Sequence, residues 1–522
     1  MEMNRKGETM KKLGFCFGVL TALVLTCSGE VLSKTPWSKP PSETGGIRGY
    51  SLDISRGKVP KMETLYRIVD ILAALKYNFF TLYCEHAFAY SKHPVVWEEV
   101  SPMTPEQVRA LDDYCYARGI ELGPNQQTFG HMEKWLKHPE YNDLAETPQG
   151  GTELDAWWEP GGKWVSESPT CLCPTDSRSV EFVAGLLDEL LPCYRSRFVN
   201  IHCDETHELY DTRRPMPGRS AAEIAKKGAT AVYLDYFDKV NALCAARGCT
   251  ISYAADVILK HPEVVGRLPK NAICGIWQYE ADAADYFMKN TPIIKATGVR
   301  YSLCCSTSCW LSLFGRTANM MKNVDYLCEA FEKYGAFGVS ISDWGDGGHP
   351  QPWLASVPAL VYFSYRICGE KMSREQLAAA VDGLLGCKVG ASLLAYGDLT
   401  AKIGGRMNGG SELYWILADG KDWRPNVGVS DPKRFVTERS KEEMLEYGRY
   451  AKTLADLTGA PEWVKDDFAL IDLLFRAVEM RIKEPGKRNF KACFEPEYRR
   501  LWRKSNRVGG LSESVNVVFG QP

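Results

Sequence analysis

Two adjacent acidic residues follow a run of buried-strand character in the middle of the chain. The run from Val199 to Cys203 ends abruptly at Asp204 and Glu205. A pair of carboxylates suits cleavage of a glycosidic bond, in which one group protonates the leaving oxygen and negative charge supports an oxocarbenium-like centre. An exposed acidic strand end or a helix N-cap would give the same two residues. The surrounding elements must therefore decide between these interpretations.

Those elements are β-rich runs that alternate with amphipathic helical segments. The eight runs are 49–53, 78–84, 120–126, 198–203, 250–255, 272–277, 300–305 and 337–342. Strand-like runs that alternate with helices predict parallel βαβ units. Eight such units predict an α/β fold, a (β/α)8 TIM barrel over residues 47 to 368.

The ends of these runs carry the polar residues that could do chemistry. In a TIM barrel the active site lies at the C-terminal ends of the strands, so position alone makes these residues candidates. They are Asp53 with Arg56, Glu85 with His86, Gly130 with His131, Asp204 with Glu205, Asp256, Trp277, and Asp343 with Trp344 and Asp346.

The boundaries of one helix in the barrel region are readable from the sequence. Thr104 can cap a helix, Pro105 suits its first turn and Gln107 completes a capping box. Gly119 is the residue type that commonly ends a helix. These signals support the count of βα units.

The last part of the chain, residues 369 to 522, is predicted to be a mainly helical domain packed on the barrel. Ser373 and Ser440 each open a helical pattern, with Gln or Glu three residues later. Residues 463 to 482 form a further amphipathic pattern. This region carries no motif of its own.

The first 27 residues predict export. Lys11 and Lys12 precede an apolar run over residues 13 to 25, which has the length of a signal peptide and is short for a membrane span. The run ends at Thr26-Cys27, which resembles a bacterial lipobox although Thr before the cysteine is atypical. We therefore expect a periplasmic or cell-surface bacterial protein, with Cys27 as the lipidated residue if it is a lipoprotein.

Cysteine and charge counts narrow the class of protein. Six of the 18 cysteines lie in or beside apolar β-like runs, which favours buried thiols: Cys84, Cys203, Cys249, Cys274, Cys304 and Cys305. Cys171 and Cys173 are the best candidates for a disulfide or an accidental metal contact. The formal net charge of -2 over 522 residues gives no electrostatic footprint for nucleic acid.

Four segments, in order along the chain, resemble glycoside hydrolase family 20, the β-N-acetylhexosaminidases. They are Leu52 to Gly57 after the first run, Gly119 to Glu121 leading to Gly130-His131 after the third, Asp204-Glu205 after the fourth, and Asp343 to Asp346 after the eighth. The resemblance covers residues 47 to 368. It implies an exo-acting retaining enzyme that releases terminal GlcNAc or GalNAc.

The resemblance also implies a division of labour between the two acids. In this family the acetamido oxygen of the substrate attacks the anomeric carbon and forms an oxazolinium intermediate. Glu205 would then be the general acid and later the base that activates water, which requires a raised pKa. Asp204 would stay ionised, orient the acetamide N–H and stabilise the positive charge that develops there. No cofactor and no metal are implied.

Several further positions match substrate-binding residues of the family. Arg56 matches the arginine that binds hydroxyls far from the scissile bond, although a salt bridge with Asp53 is an alternative interpretation. Asp346 occupies the position where the family usually has Glu. Three tryptophans could stack on the sugar or wall in the acetamido methyl, and each alone could equally belong to the core: Trp277, Trp310 and Trp344.

The segments after the second to fifth runs depart from the family pattern in part. His131 matches a histidine that helps to organise the acid, and Glu85 would substitute for its usual acidic partner. His202 and Cys203 replace the usual Gly-Gly before the acid pair, which predicts a more crowded strand end. The segment ending at Asp256 lacks a tryptophan often found there, and the family's acetamide-binding tyrosine has no clear counterpart.

Three alternative functions compete with the hexosaminidase interpretation. One is a metal-dependent hydrolase with ligands from His202, Cys203, Asp204, Glu205 and His207, although the spacing is not a standard zinc pattern. Another is a catalytically idle carbohydrate-binding barrel. The third is an exo-β-glycosidase for a sugar without an acetamido group. The expected partner is an N-acetylhexosamine-terminated oligosaccharide or glycoprotein glycan, with no nucleic acid and with membrane contact only through a lipid anchor.

Overall fold

The computed structural model describes residues 46–150, 152–155, 163–166, 168–210, 218–403, 409–419 and 437–520. The N-terminal run and Cys27, on which the export prediction depends, lie outside these residues. None of the helices in the described ranges combines the length and the apolar character needed to cross a membrane.

Eight parallel strands form the predicted barrel, and a short antiparallel hairpin lies outside it. The sheet order is β3-β2-β1-β10-β9-β8-β7-β6, with β4 and β5 paired in the hairpin. The strands are β1 Ile47–Asp53, β2 Phe79–Tyr83, β3 Glu121–Gly123, β4 Thr152–Asp155, β5 Lys163–Ser166, β6 Phe198–His202, β7 Thr250–Ala254, β8 Ile273–Trp277, β9 Arg300–Ser306 and β10 Gly338–Asp343.

The barrel closes between β3 and β6 just beyond the C-terminal end of the short β3. Asn125 and Asn200 form a parallel bridge there. The N–H of Asn200 donates to the carbonyl of Pro124 at 2.9 Å, and the N–H of Gln126 donates to the carbonyl of Asn200 at 3.0 Å. This closure places the residues that follow β3 directly beside the acid pair that follows β6.

Helices connect the strands and cover the outside of the barrel. They are α1 Met62–Ala74, α2 Pro94–Trp97, α3 Pro105–Tyr116, α4 Glu133–Leu136, α5 Pro139–Asn142, α6 Ser177–Leu190, α7 Ala221–Lys227, α8 Ala229–Ala246, α9 Asp256–Lys260, α10 Tyr286–Ala296, α11 Thr317–Tyr334 and α12 Val357–Arg366. The apolar faces of these helices and the strands form one continuous hydrophobic core. The (β/α)8 architecture predicted from the alternation of runs is confirmed.

The rest of the chain is helical and packs on the barrel. Its helices are α13 Arg374–Leu385, α14 Gly390–Gly397, α15 Leu399–Lys402, α16 Glu412–Asp419, α17 Glu438–Thr453, α18 Glu462–Lys483, α19 Phe490–Ser505 and α20 Leu511–Phe519. Side chains of these helices belong to the same hydrophobic core as the barrel. A domain boundary near residue 368 stays a prediction, because α12 and α13 pack against each other across it.

The helix caps confirm most of the sequence signals. Thr104 and Ser373 both form complete capping boxes, at the starts of α3 and α13. The predicted start at Ser440 is wrong by one turn, because Thr437 is the N-cap of α17 and Ser440 supplies the other half of its capping box. A Ser side chain can form local hydrogen bonds both as the N-cap residue and three residues into the helix, so the sequence alone does not distinguish these two positions.

The disulfide predicted as one possibility at Cys171 and Cys173 is wrong, and the metal contact suggested as the other stays a prediction. Both residues are buried free thiols, and every other cysteine in the described ranges is also free. The Cys173 thiol lies 3.4 Å from the Thr175 hydroxyl and 3.6 Å from the Ser220 hydroxyl. These cysteines therefore act as small core residues with weak polar contacts.

Candidate active site

The acid pair sits on a strained turn at the end of β6. The register between β6 and β7 shifts between Asn200 and His202, which is a β-bulge. His202, Cys203 and Glu205 have φ values of 57°, 60° and 50°, in the left-handed region that non-glycine residues rarely adopt. Such residues cost about 1–3 kcal/mol each and cluster at functional sites. Glycine would adopt these φ values without strain, so the His202-Cys203 pair carries a conformational cost that glycines at the two positions would not.

The loop after β3 brings His131 to the acids. Gly130 lies so close to the turn that an added Cβ would be 2.3 Å from the carbonyl oxygen of Asp204, so only glycine fits there. The His131 Nε2 is 3.1 Å from Glu205 Oε2 and 3.8 Å from Asp204 Oδ2. Its Nδ1 is 3.8 Å from Glu85 Oε1. The imidazole therefore lies among three carboxylates and is hydrogen-bonded to Glu205.

This contact sets the protonation of Glu205 and His131. Burial raises the pKa of the Glu205 carboxyl, but the hydrogen bond and charge of His131, together with the charges of His207 and Lys260, outweigh burial and lower the pKa to about 2. Burial lowers the pKa of His131, yet the hydrogen bond to Glu205 and the nearby carboxylates raise it well above its usual value. The raised pKa expected for Glu205 is therefore not found, because the proton resides on the imidazole of this pair.

Asp204 is held by a residue that the sequence analysis did not select. The Gln127 side-chain amide donates to Asp204 Oδ1 at 2.9 Å, and also to the Tyr83 hydroxyl at 3.1 Å. Gln127 is fully buried, so this orientation is fixed. The only sequence signal was its place directly after the third predicted strand. One oxygen of Asp204 is thus anchored, and the other faces the imidazole of His131.

Arg56 forms the centre of a second charged group on the opposite side of the barrel mouth. Its guanidinium pairs with Glu85 through Nη1, and its Nε donates to Asp346 Oδ1 at 3.1 Å. The proposed alternative pair with Asp53 is wrong, because that carboxylate accepts the backbone N–H groups of Ser55 and Gly345 instead. The guanidinium fork thus holds two carboxylates from different strand ends.

Glu85 links the two charged groups. Burial raises its pKa to about 7 against the opposing charge of Arg56. Its Oε1 accepts from the Tyr83 hydroxyl at 2.9 Å and from Arg56, and it lies 3.8 Å from His131 Nδ1. The distance to His131 is longer than a hydrogen bond, so Glu85 acts on that ring through charge.

Aromatic side chains form one wall of the mouth. Trp344 meets the Tyr83 ring edge-on at 4.8 Å and lies 6.1 Å from the Tyr279 ring. Tyr279 stacks on Trp277 with the ring centroids 5.0 Å apart. Sequence reasoning selected both tryptophans but missed Tyr279, two residues beyond Trp277. Trp310 follows β9 and is half-buried against the hydrophobic core, so its sugar-binding role stays a prediction.

Asp256 completes the turn that carries the acids. It is buried at the start of α9, and its Oδ2 accepts the backbone N–H of Glu205 at 3.2 Å. Burial and the charges of Asp204 and Glu205 raise its pKa to about 7. A cavity of about 430 Å³ opens beside these residues, with Trp277 on its wall. Glu205 therefore borders open space on the side away from Arg56.

Helices beyond the barrel hold the loop that carries Trp344 and Asp346. The Tyr414 hydroxyl on α16 donates to the carbonyl of Gly347 at 2.8 Å. A Cβ added at Gly348 would lie 3.1 Å from Val517 Cβ on α20, which reflects a close approach of the two segments. The mouth of the barrel is thus shaped in part by the C-terminal helices.

The side chains suggested for a metal site do not converge. The His202 Nε2 is 2.9 Å from the Asn125 Oδ1, and the Cys203 thiol is 3.3 Å from the Thr128 hydroxyl. Within the described residues, a cluster of Glu85, His131 and Glu133 could in principle surround a cation. The Glu85 oxygen in that cluster already accepts from a guanidinium and a phenol, which makes it a poor cation site.

The sequence is similar to two proteins that are both named Hexosaminidase D. Hexosaminidase D of Bos taurus is 22% identical over 247 residues, which cover 45% of this chain and 64% of that protein. Hexosaminidase D of Homo sapiens is 26% identical over 164 residues, covering 31% and 30% respectively. This chain thus spans less than two thirds of the length of either relative.

The fold and the family are established by two further matches. The chitobiase of Flavobacterium johnsoniae has the same fold, with a TM-score of 0.51 and 16% identity over 90% of this chain and 77% of that one. The catalytic-domain model of glycosyl hydrolase family 20 matches residues 46–334, from β1 to the end of α11. Because this match covers more than half of the chain and includes the whole acid-pair site, the protein belongs to glycosyl hydrolase family 20.

Proposed function

We propose that this protein is an exo-acting, retaining β-N-acetylhexosaminidase that releases terminal GlcNAc or GalNAc from glycans by substrate-assisted catalysis. The observation that carries the proposal is the unequal treatment of two adjacent acids. Glu205 shares a proton with His131, whereas Asp204 is anchored by the Gln127 amide. Membership of family 20 and similarity to two proteins named Hexosaminidase D support the same activity.

In the first step, the substrate supplies its own nucleophile. Asp204 accepts the acetamide N–H and stabilises the positive charge as the acetamido oxygen attacks the anomeric carbon. The His131 imidazolium gives its proton to Glu205 through their hydrogen bond at 3.1 Å as Glu205 passes a proton to the leaving oxygen, which leaves Glu205 as a carboxylate and His131 neutral. The glycosidic bond breaks, the leaving group departs as an alcohol, and an oxazolinium ion remains.

In the second step, Glu205 acts as a base. Its side chain is 41% exposed, and its carboxylate removes a proton from water as that water attacks the anomeric carbon and opens the oxazolinium ring. The two displacements on the same carbon return the β-configuration, which makes the reaction retaining. The proton then resides on the Glu205–His131 pair, and the site is ready for another substrate.

Exo action follows from the charged group around Arg56. Arg56, Glu85 and Asp346 close the side of the mouth opposite the acids. Hydroxyls at the non-reducing end of one terminal sugar can bind this forked set of donors and acceptors. We expect monosaccharide products from the first time point on a long oligosaccharide, and early internal fragments would contradict this assignment.

A panel of aryl β-glycosides with and without the N-acetyl group tests the proposal. Turnover of GlcNAc or GalNAc glycosides, together with inhibition by a thiazoline mimic of the cyclised intermediate, is the expected result. Preference for a sugar without the acetamide would favour the exo-β-glycosidase alternative, although Asp204 would then lack its partner. Sugar binding without any turnover would favour an idle barrel.

We also propose that the protein is exported, with Cys27 as its lipid-bearing residue. The support is the basic and apolar order of residues 11 to 25 directly before that cysteine. Intact-mass analysis of protein extracted from membranes should show an acylated N-terminus at Cys27. A mature chain that begins elsewhere and carries no acyl mass would rule this out.

A further inference from the structure

The backbone of Glu205 is held by a side chain from the neighbouring strand end. After the bulge in β6, the chain leaves the β-ladder and Glu205 adopts a φ of 50°. Its N–H donates to Asp256 Oδ2 at 3.2 Å. Because the conformation is strained, the direction of the Glu205 side chain depends on contacts such as this one.

We infer that Asp256 is a positioning residue for the catalytic acid: its carboxylate fixes the strained Glu205 backbone so that the side chain meets His131, and its negative charge keeps the proton on that pair. The inference rests on the proposed function and deepens it. Asp256 is 8% exposed and touches Glu205 through the main chain, so it acts through that residue and not on substrate.

A buried carboxylate costs more desolvation free energy at this position than a purely structural hydrogen-bond acceptor would require. The other oxygen of Asp256, Oδ1, is buried without a hydrogen-bond partner among the described residues. An uncharged amide could accept the same N–H without placing a charge beside two other carboxylates. The placement is explained if the negative charge itself has a role.

That role is electrostatic. A like charge disfavours ionisation of Glu205, and an opposite charge favours protonation of His131. Both effects keep a transferable proton on the Glu205–His131 pair at higher pH, where the pair would otherwise lose it to solvent. The charged and titratable groups that face Asp256 are Asp204, Glu205, Lys260, Tyr210, Tyr233, Tyr286, Cys203 and Cys274. Of these, Lys260 is the cation and is exposed on the same helix, and the titratable His207 faces Glu205 and lines the same cavity.

Two substitutions at position 256 separate the hydrogen bond from the charge. Asp256→Ala removes both, and we expect kcat on substrates with a poor leaving group to fall about 10²-fold, as for a misplaced catalytic group. Asp256→Asn keeps an acceptor oxygen and should lose less than about tenfold. With a dinitrophenyl leaving group, which needs little protonation, both variants should stay close to wild type. Asp282→Asn, which removes an exposed charge outside the lining of that cavity, is the matched control and should behave as wild type.

The pH profile supplies a readout that a structural role would not move. Loss of the negative charge lowers the pKa of the Glu205–His131 pair, so the alkaline limb of kcat should shift to lower pH in both Asp256 variants but not in Asp282→Asn. The inference is overturned if Asp256→Ala keeps wild-type kcat, or if its loss is equal for both leaving groups with an unshifted limb.

NMR titration of the His131 ring tests the same inference without turnover. The pKa of His131 should fall in Asp256→Asn and fall further in Asp256→Ala, where the hydrogen bond to Glu205 is also weakened. An unchanged His131 pKa in both variants would overturn the inference. A wild-type protein that cleaves no hexosaminide would instead overturn the proposed function, and the titration would still decide the role of Asp256.

Discussion

The two sides of the barrel mouth differ in how their charged side chains are held. Around Arg56, two carboxylates pair with the guanidinium: Glu85, which is 1% exposed, and Asp346, which is 35% exposed. On the other side Glu205 is 41% exposed, borders a cavity and is held mainly by His131 and by its own strained backbone. We call these the Arg56 side and the Glu205 side.

The difference teaches which task each side can perform. Carboxylates that share one guanidinium have fixed directions, which suits recognition of sugar hydroxyls. A partly exposed carboxylate beside an imidazolium can give a proton to a leaving group and later take one from water. Substitutions on the Glu205 side should therefore alter bond cleavage, and those on the Arg56 side should alter binding.

The largest effect is expected for Glu205→Gln. It removes the proton donor, so a substrate whose leaving group needs protonation should react about 10²–10⁴-fold more slowly. Cleavage of a dinitrophenyl glycoside should be largely spared, because that leaving group departs without a proton. Steady-state rates for a series of leaving groups measure the difference. An equal loss for every leaving group would show that Glu205 is not the acid.

Asp204→Asn should give the next largest effect and a different pattern. The amide supports the acetamido nucleophile and its developing charge poorly, so all leaving groups should slow by about 10²–10³-fold. Asn at position 204 keeps a side-chain oxygen that can accept the hydrogen bond from the Gln127 amide, so the fold should be retained. A thiazoline inhibitor should bind this variant less tightly than wild type. Tight binding to the variant would separate Asp204 from the acetamide.

The contrast between the two sides could be predicted from sequence only in part. The eight strands follow from runs and turn signals, which are local patterns. Asp204, Glu205, His131, Arg56, Glu85 and Asp346 follow strand ends, and the barrel brings all six together. Position directly after a strand is therefore enough to identify residues that reach the barrel mouth from the strand end itself.

The residues that escaped prediction act through tertiary geometry. Gln127 reaches Asp204 only because the barrel closes between β3 and β6 just beyond β3. Tyr414 reaches the Gly347 loop from a helix 67 residues further along the chain. The protonation of Glu205 was mispredicted although His131 itself was selected, because the sequence does not reveal that the loop after β3 brings the His131 ring to 3.1 Å from the Glu205 carboxylate.

Arg56→Met tests the Arg56 side directly. Loss of charge-assisted hydrogen bonds worth about 1.5–3 kcal/mol should lower kcat/KM by about ten- to a hundredfold, mainly through KM. The buried Glu85 would lose its partner, which also destabilises the fold. The double variant with Glu85→Gln should recover thermal stability without recovering KM. If the double variant regains normal KM, Arg56 serves the fold and does not bind substrate.

Tyr414→Phe should have the smallest effect and asks whether the C-terminal helices belong to the Arg56 side. It removes one hydrogen bond, from the hydroxyl to the carbonyl of Gly347 at 2.8 Å, next to Asp346. A bond of about 0.5–1.5 kcal/mol corresponds to about a two- to tenfold rise in KM when the loop loosens. The leaving-group dependence of kcat should not change, because the Glu205 side is untouched. Tyr450→Phe, at an exposed tyrosine on α17, is the matched control and should leave KM unchanged. If Tyr414→Phe lowers the melting temperature but leaves KM unaltered, α16 has only a stabilising role. If the leaving-group dependence of kcat changes, the two sides of the mouth are coupled through the loop after β10.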